Sequence, residues 1–179
     1  MSTSIQSLIS PLVFSLFVAS ISVVAIGCGD DDNGGTTAGG GSFEIEGEIV
    51  GSKQGQASFI QTDSTLNLSL HDNETFSLSF LRIGDDTAIP PEGEYTIGST
   101  GAADFNVVYT AYVDGDVTVS QDYGNWDDVS GILVIVDADE TSATGVFVFE
   151  AWRYDTSLER IESSKIAVTS GEFSAHLGN

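Results

Sequence analysis

Few residues in this chain have the type and spacing to do chemistry, and the most telling is a thiol. Cys28 is the only cysteine, and it follows Val24-Ala25-Ile26-Gly27 at the end of an uncharged run from Leu12 to Ile26. A signal peptidase needs small residues before the scissile bond so that the chain can lie extended in its cleft, and Ala25 and Gly27 meet that need. A thiol freed at such a site can be alkylated by a lipid, so Cys28 is read as a lipidation site behind a cleaved leader, residues 1–27. The alternative is an uncleaved anchor in which Ile5 to Gly27 spans the bilayer, with Pro11 and several serines tolerated inside it.

Other reactive groups are sparse or unplaced. His71 and His176 are the only histidines, and neither stands in a metal-ligand spacing or beside a serine elbow. Serine-nucleophile, zinc-protease and phosphate-loop signatures are missing from the sequence, so the chain is read as not an enzyme. The alternative is a glycan or ester hydrolase built on carboxylates. With 27 acids in the chain some pair always lies close, so a pair alone is weak ground for it.

Three groupings point to binding. Asp137, Asp139 and Glu140 put hard oxygens in one expected turn and are the best candidates for Ca2+, although they lack the spacing of an EF-hand loop. Tyr123, Trp126 and Asp127, with Trp152 on another connection, combine aromatic faces and acceptors in the manner of a sugar-stacking platform. Ile132, Val134, Val136, Val146 and Val148 make the second face of an expected hairpin apolar. If Leu133, Ile135, Phe147 and Phe149 face the core, those five form a β-branched patch, either covered by the loop from Tyr154 to Ile161 or open to a partner.

The elements that must position these groups follow from composition and period. Residues 28–42 hold no apolar side chain larger than alanine after Cys28, and read as a flexible acidic and Gly-rich tether reaching on the order of 20 Å. Residues 43–179 have the composition of one domain, stabilised by its core because no cysteine pair exists. All 27 acids and all five basic residues lie beyond Cys28, for a net charge of -22. Such a surface repels phosphate backbones, which excludes nucleic acid as a partner.

Apolar residues recur at two-residue spacing: Phe43 and Ile45, Leu66-Leu68-Leu70, Phe76-Leu78-Phe80, and Phe105 to Val113 by alternate positions. Asp72-Asn73-Glu74 and Asp114-Gly115-Asp116 supply turns, and further short strands follow to Leu177. About nine strands of uneven length indicate an all-β antiparallel sandwich. The alternative is a small up-and-down, lipocalin-like barrel carrying a small lipophile in a cavity lined by Phe76, Leu78, Phe105 and Val107.

The motifs Pro90 to Ile97, Ser130 to Ile135, Thr144 to Ala151 and Val168 to Phe173, behind a Gly27-Cys28 start, resemble a family of uncharacterised lipoproteins common in Bacteroidetes. The leader resembles lipoprotein signals such as Leu-Ala-Gly-Cys at Gly27 and Cys28, but no Lys or Arg precedes the cysteine. The triplet Asp30-Asp31-Asp32 resembles a surface-export signal of such proteins. The resemblance implies a lipid-anchored protein of the outer membrane, exposed at the cell surface, and carries no catalytic residue across. The expectation is a non-catalytic envelope module that binds an envelope protein or a glycan.

Overall fold

A computed structural model describes residues 39–99, 103–124 and 128–178, and they form an antiparallel all-β unit. Its strands are β1 (Gly39–Gly47), β2 (Gly51–Gln61), β3 (Thr65–His71), β4 (Phe76–Ile83), β5 (Gly93–Ile97), β6 (Asn106–Val113), β7 (Asp116–Tyr123), β8 (Val129–Ala138), β9 (Ser142–Ala151) and β10 (Ile166–Leu177). They join in a single sheet of order β5-β8-β9-β10-β1-β2-β3-β4-β6-β7. Among the described residues no helix is long and apolar enough to cross a membrane.

The period-two pattern dictates the rest. Alternate residues of nearly every strand are apolar, so one face of the sheet must leave water, and the sheet covers itself by coiling until its halves face each other. Phe80 on β4 and Phe147 on β9 stand five places apart along the sheet, about 24 Å if it were flat. Their ring centroids are 4.9 Å apart, edge to face. Phe43 on β1 meets Phe76 on β4 at 5.3 Å in the same geometry. The turn of the sheet brings β5 to the start of β6, where the Phe105 N–H donates to the Thr96 carbonyl (3.0 Å) and the Gly98 N–H to the Phe105 carbonyl (2.9 Å). That contact is one bridge rather than a ladder, so the sheet is sandwich-like and not closed as a barrel.

The interior is filled. Phe76, Leu78, Phe105 and Val107 are at most 1% exposed within the aromatic core, so they do not line an open cavity. A carrier of a small lipophile loses the lining assigned to it. Gly171, buried opposite Phe147, shows how tightly this core closes, because a Cβ there would lie 2.2 Å from the Phe147 ring.

Among the strands that differ from the sequence expectation are β1 and β2. β1 starts at Gly39, inside the stretch read as tether, and pairs with both β10 and β2. Its glycines are what allow this, since a Cβ on Gly39 would overlap the Ser174 carbonyl. β2 lacks a legible alternation as well, because Gly51, Lys53 and Gly55 stand at its inward positions until Ala57 and Phe59 take over.

Polar groups in and around this core differ in how they are satisfied. Asp72 closes the β3–β4 turn, where Asn73 takes a positive φ of 64°. Burial acts to raise its pKa, but the Thr75 hydroxyl and the N–H groups of Thr75, Glu74 and Phe76 all donate to it and bring it down to about 2. A depressed carboxyl stabilises the fold fully above its unfolded value of 3.8 and loses that contribution as pH falls through about 2. Asp72→Ala is therefore expected to cost about 1–2 kcal/mol at neutral pH in urea titrations, and the gap to wild type should narrow toward pH 2.

Tyr109 is fully buried and its hydroxyl has no partner, whereas the hydroxyl of buried Tyr123 donates to Glu48 Oε2 at 3.0 Å. Tyr109→Phe should leave stability unchanged or raise it by up to about 1 kcal/mol, while Tyr123→Phe should lower it by about that amount. Chemical denaturation of the two variants checks the contrast.

Candidate functional site

The residues singled out from sequence fall in three places. Cys28, Trp126 and Asp127 lie outside the described residues. The remaining aromatic and acidic candidates sit at the two ends of the sandwich, and the β-branched set lies on its outer face.

At one end, β7 runs into the core and Tyr123 follows it inward. The ring is completely buried beside Tyr109, and Arg153 lies over its face at 5.6 Å. Burial first, and then the bond to Glu48, pushes its phenol up to about 12. Tyr123 is therefore a core plug and not a ligand platform, because its position on the inward side of β7 leaves no ring face for a sugar. Arg153 holds both Glu48 oxygens, through Nε at 3.0 Å and through an ion pair at the other nitrogen. The Glu48 N–H donates to the Lys165 carbonyl at 2.9 Å, so the segment after β1 is tied to the start of β10.

Trp152 is half-buried, and Arg160 and Lys165 each stand over its ring at 5.3 Å. Lys165 pairs with Glu150 (2.7 Å), Arg160 with Asp128 (3.2 Å) and Glu162 (2.5 Å), and the Tyr154 hydroxyl donates to Asp128 (2.7 Å). Three of the chain's five basic residues are thus gathered on the segment from Trp152 to Lys165. They work as fasteners for that segment. Buried Ser164 completes it, receiving the Arg153 N–H at 2.8 Å and donating to the Ile161 carbonyl at 2.7 Å.

At the other end, Asp139 and Glu140 border a groove of about 440 Å³ with Gln61, Ala88, Ile89 and Pro91. The Ca2+ site expected at Asp137, Asp139 and Glu140 is not assembled. One Asp139 oxygen instead accepts from the N–H groups of Thr141 and Ser142, both at 2.7 Å, and so closes the β8–β9 turn. Among the described residues no group of three or more His, Cys, Asp or Glu side chains is placed to hold a metal ion. His176 is exposed, and His71 carries a buried Nδ1 without a partner.

The outer face is where the sequence reading and the geometry converge. Leu133, Ile135, Phe147 and Phe149 point into the core, each at most 2% exposed. Their neighbours consequently face out. Ile132 pairs with Val148 and Val134 with Val146 across the β8–β9 ladder, and Val136 stands at the bulge beyond them. Directly paired residues share a face with Cβ atoms about 5 Å apart, so these side chains form one continuous stripe. Ile132, Val136, Val146 and Val148 are 39–58% exposed, so the segment from Tyr154 to Ile161 does not cover them.

Register also sets the banks of the stripe. Glu94 on β5 pairs with Val134, and Glu172 on β10 pairs with Val146. One row across four strands thus reads Glu94, Val134, Val146, Glu172. Both glutamates are exposed and neither belongs to any of the five ion pairs among the described residues. Sequence reading missed them because Glu94 and Glu172 lie on strands far along the chain from the valines they pair with, and only strand order joins them. Glu48 and Arg153 were missed for the same reason, being 105 residues apart.

No family model, curated protein or solved structure matches this chain.

The Glu48 carboxyl is held below its ordinary 4.5, chiefly by the bond from Arg153. Its contribution is complete above 4.5 and is lost as pH falls through the lowered folded value. Arg153→Met is expected to lower the urea midpoint at neutral pH, with a smaller deficit once pH drops well below 4.5. Midpoints measured for both proteins across that range check the sign.

Proposed function

We propose that this chain is a non-catalytic module held at the outer membrane of a bacterium by a lipid on Cys28, and that it works by binding a protein partner on the outer face of β8 and β9. The observation that carries the binding half is the five-residue β-branched stripe, four of whose side chains are open to water on strands whose other face builds the core. Solvent-facing strand positions are ordinarily polar, and contiguous exposed apolar patches mark interaction sites.

The anchoring half is supported by the sequence Ala25-Ile26-Gly27-Cys28 and by the likeness of the strand motifs to envelope lipoproteins. Attachment through two or three acyl chains is firm, at about 0.8 kcal/mol per buried methylene.

Glycan binding is less well supported. Tyr123 is interior, and the Trp152 ring is attended by two cations that are themselves paired with carboxylates.

A photo-reactive amino acid placed at Val148 in the native host should give one discrete cross-linked adduct, and the same group at exposed Ser52 should give none. Mass analysis of that protein should show Cys28 acylated and residues 1–27 removed. A stripe that yields no adduct, or the same adducts as Ser52, would overturn the binding half, and an unmodified Cys28 would overturn the anchoring half.

A further inference from the structure

We infer that the partner seated on the β8–β9 stripe is a basic protein surface, one that carries an apolar strip between two Lys or Arg residues about 14 Å apart; this rests on the partner-binding reading above. The spacing comes from the row Glu94, Val134, Val146, Glu172, whose ends are three strand intervals apart, each about 4.8 Å. The next row, Thr96, Ile132 and Val148, continues the apolar strip without a charge of its own. The stripe therefore has a carboxylate on each bank and a neutral middle.

Charge decides which occupant fits. The chain has five basic residues, and Arg82, Arg153, Arg160 and Lys165 are already engaged with Asp86, Glu48, Asp128, Glu162 and Glu150. Lys53 lies over the Phe76 ring. Nothing among the described residues neutralises Glu94 or Glu172, apart from a hydrogen bond from the Ser42 hydroxyl to Glu172 at 3.2 Å.

A second copy of this chain would set carboxylate banks against each other and bring together two bodies of net charge -22. An anionic membrane surface is repelled on the same ground. A partner with cations at the banks gains instead from both terms, because the strip loses water while each glutamate acquires its counter-charge at the rim. Rim charges of this kind select the partner and speed encounter more than they add affinity.

An extended segment meets the spacing simply. Residues i, i+2 and i+4 lie on one face and span about 13–14 Å, so Lys-x-Val-x-Lys places two ammonium groups at the banks and a valine over the strip.

The experiment uses the full chain in detergent micelles with three disulfide-closed hairpin peptides that present Lys-x-Val-x-Lys, Glu-x-Val-x-Glu or Lys-x-Ser-x-Lys on one face. Binding is followed by NMR of the Val134, Val146 and Val148 methyl groups. The Lys-x-Val-x-Lys peptide should shift those methyls and bind at least about tenfold more tightly than either other peptide, with most of its advantage over Glu-x-Val-x-Glu lost in about 0.5 M salt. Combining Glu94→Lys with Glu172→Lys should reverse the preference between the two valine peptides. If Glu-x-Val-x-Glu binds the stripe as well as Lys-x-Val-x-Lys, the basic partner is refuted and the docking face stands. If no peptide moves the three methyls at millimolar concentration, or if the chain forms dimers that Val134→Lys dissolves, the basic partner falls, and the absence of any binding takes the docking face with it.

Discussion

The packing of the sheet against itself is the constraint on which everything else depends. Ten strands with an apolar face, and among the described residues no helix layer to cover it, leave water by coiling until β4 lies over β9 and β1. The edge-to-face ring contacts of Phe80 with Phe147 and of Phe43 with Phe76 are where that closure is made. They require small residues opposite the rings, and Gly171 across from Phe147 supplies the space. Once Phe147 and Phe149 are committed inward, the two-residue period leaves Val146 and Val148 no choice but to face out. The exposed stripe is thus the other side of the same decision that builds the core.

Electrostatics divide the molecule in a second way. With 27 acids and five basic residues, most carboxylates must remain without a cation, and where the few cations go determines which surfaces keep a strong field. Three of them gather around Trp152 and Tyr123, where they fasten one end of the sandwich through Glu48, Glu150, Asp128 and Glu162. The banks of the β8–β9 stripe receive none. Concentrating the positive charge at one end leaves the outer face with an apolar middle and negative edges, and that contrast is what gives the face a direction in partner choice.

The sequence was most readable where side chains alternate cleanly. The strands around Leu66 to Leu70 and Phe76 to Phe80, the turn at Asp72 and the inward set Leu133, Ile135, Phe147 and Phe149 all stand where the period puts them. It was least readable where the backbone alone carries the strand. Gly39 and Gly41 belong to β1 because missing side chains let neighbouring strands approach, and a pattern of apolar residues contains no sign of that. The candidate site divides likewise. The stripe was visible as an excess of β-branched residues, whereas Tyr123 looked like a surface aromatic until β7 carried it inward, and the turn at Asp139 looked like a ligand group until its own backbone claimed the carboxylate.

What the sequence determined by itself is local: which residues alternate, where turns fall, how little positive charge there is, and the thiol at Cys28 behind its apolar run. Those properties depend on neighbours within a few positions, so a linear reading reaches them. Strand order and register belong to the tertiary structure, since they arise from pairings that close long loops and are selected by how the two halves pack. Only that order places Glu94, Val134, Val146 and Glu172 in one row and brings Glu48 to Arg153, because the hydrogen-bonded ladder, unlike the chain, makes neighbours of residues that lie far apart in sequence.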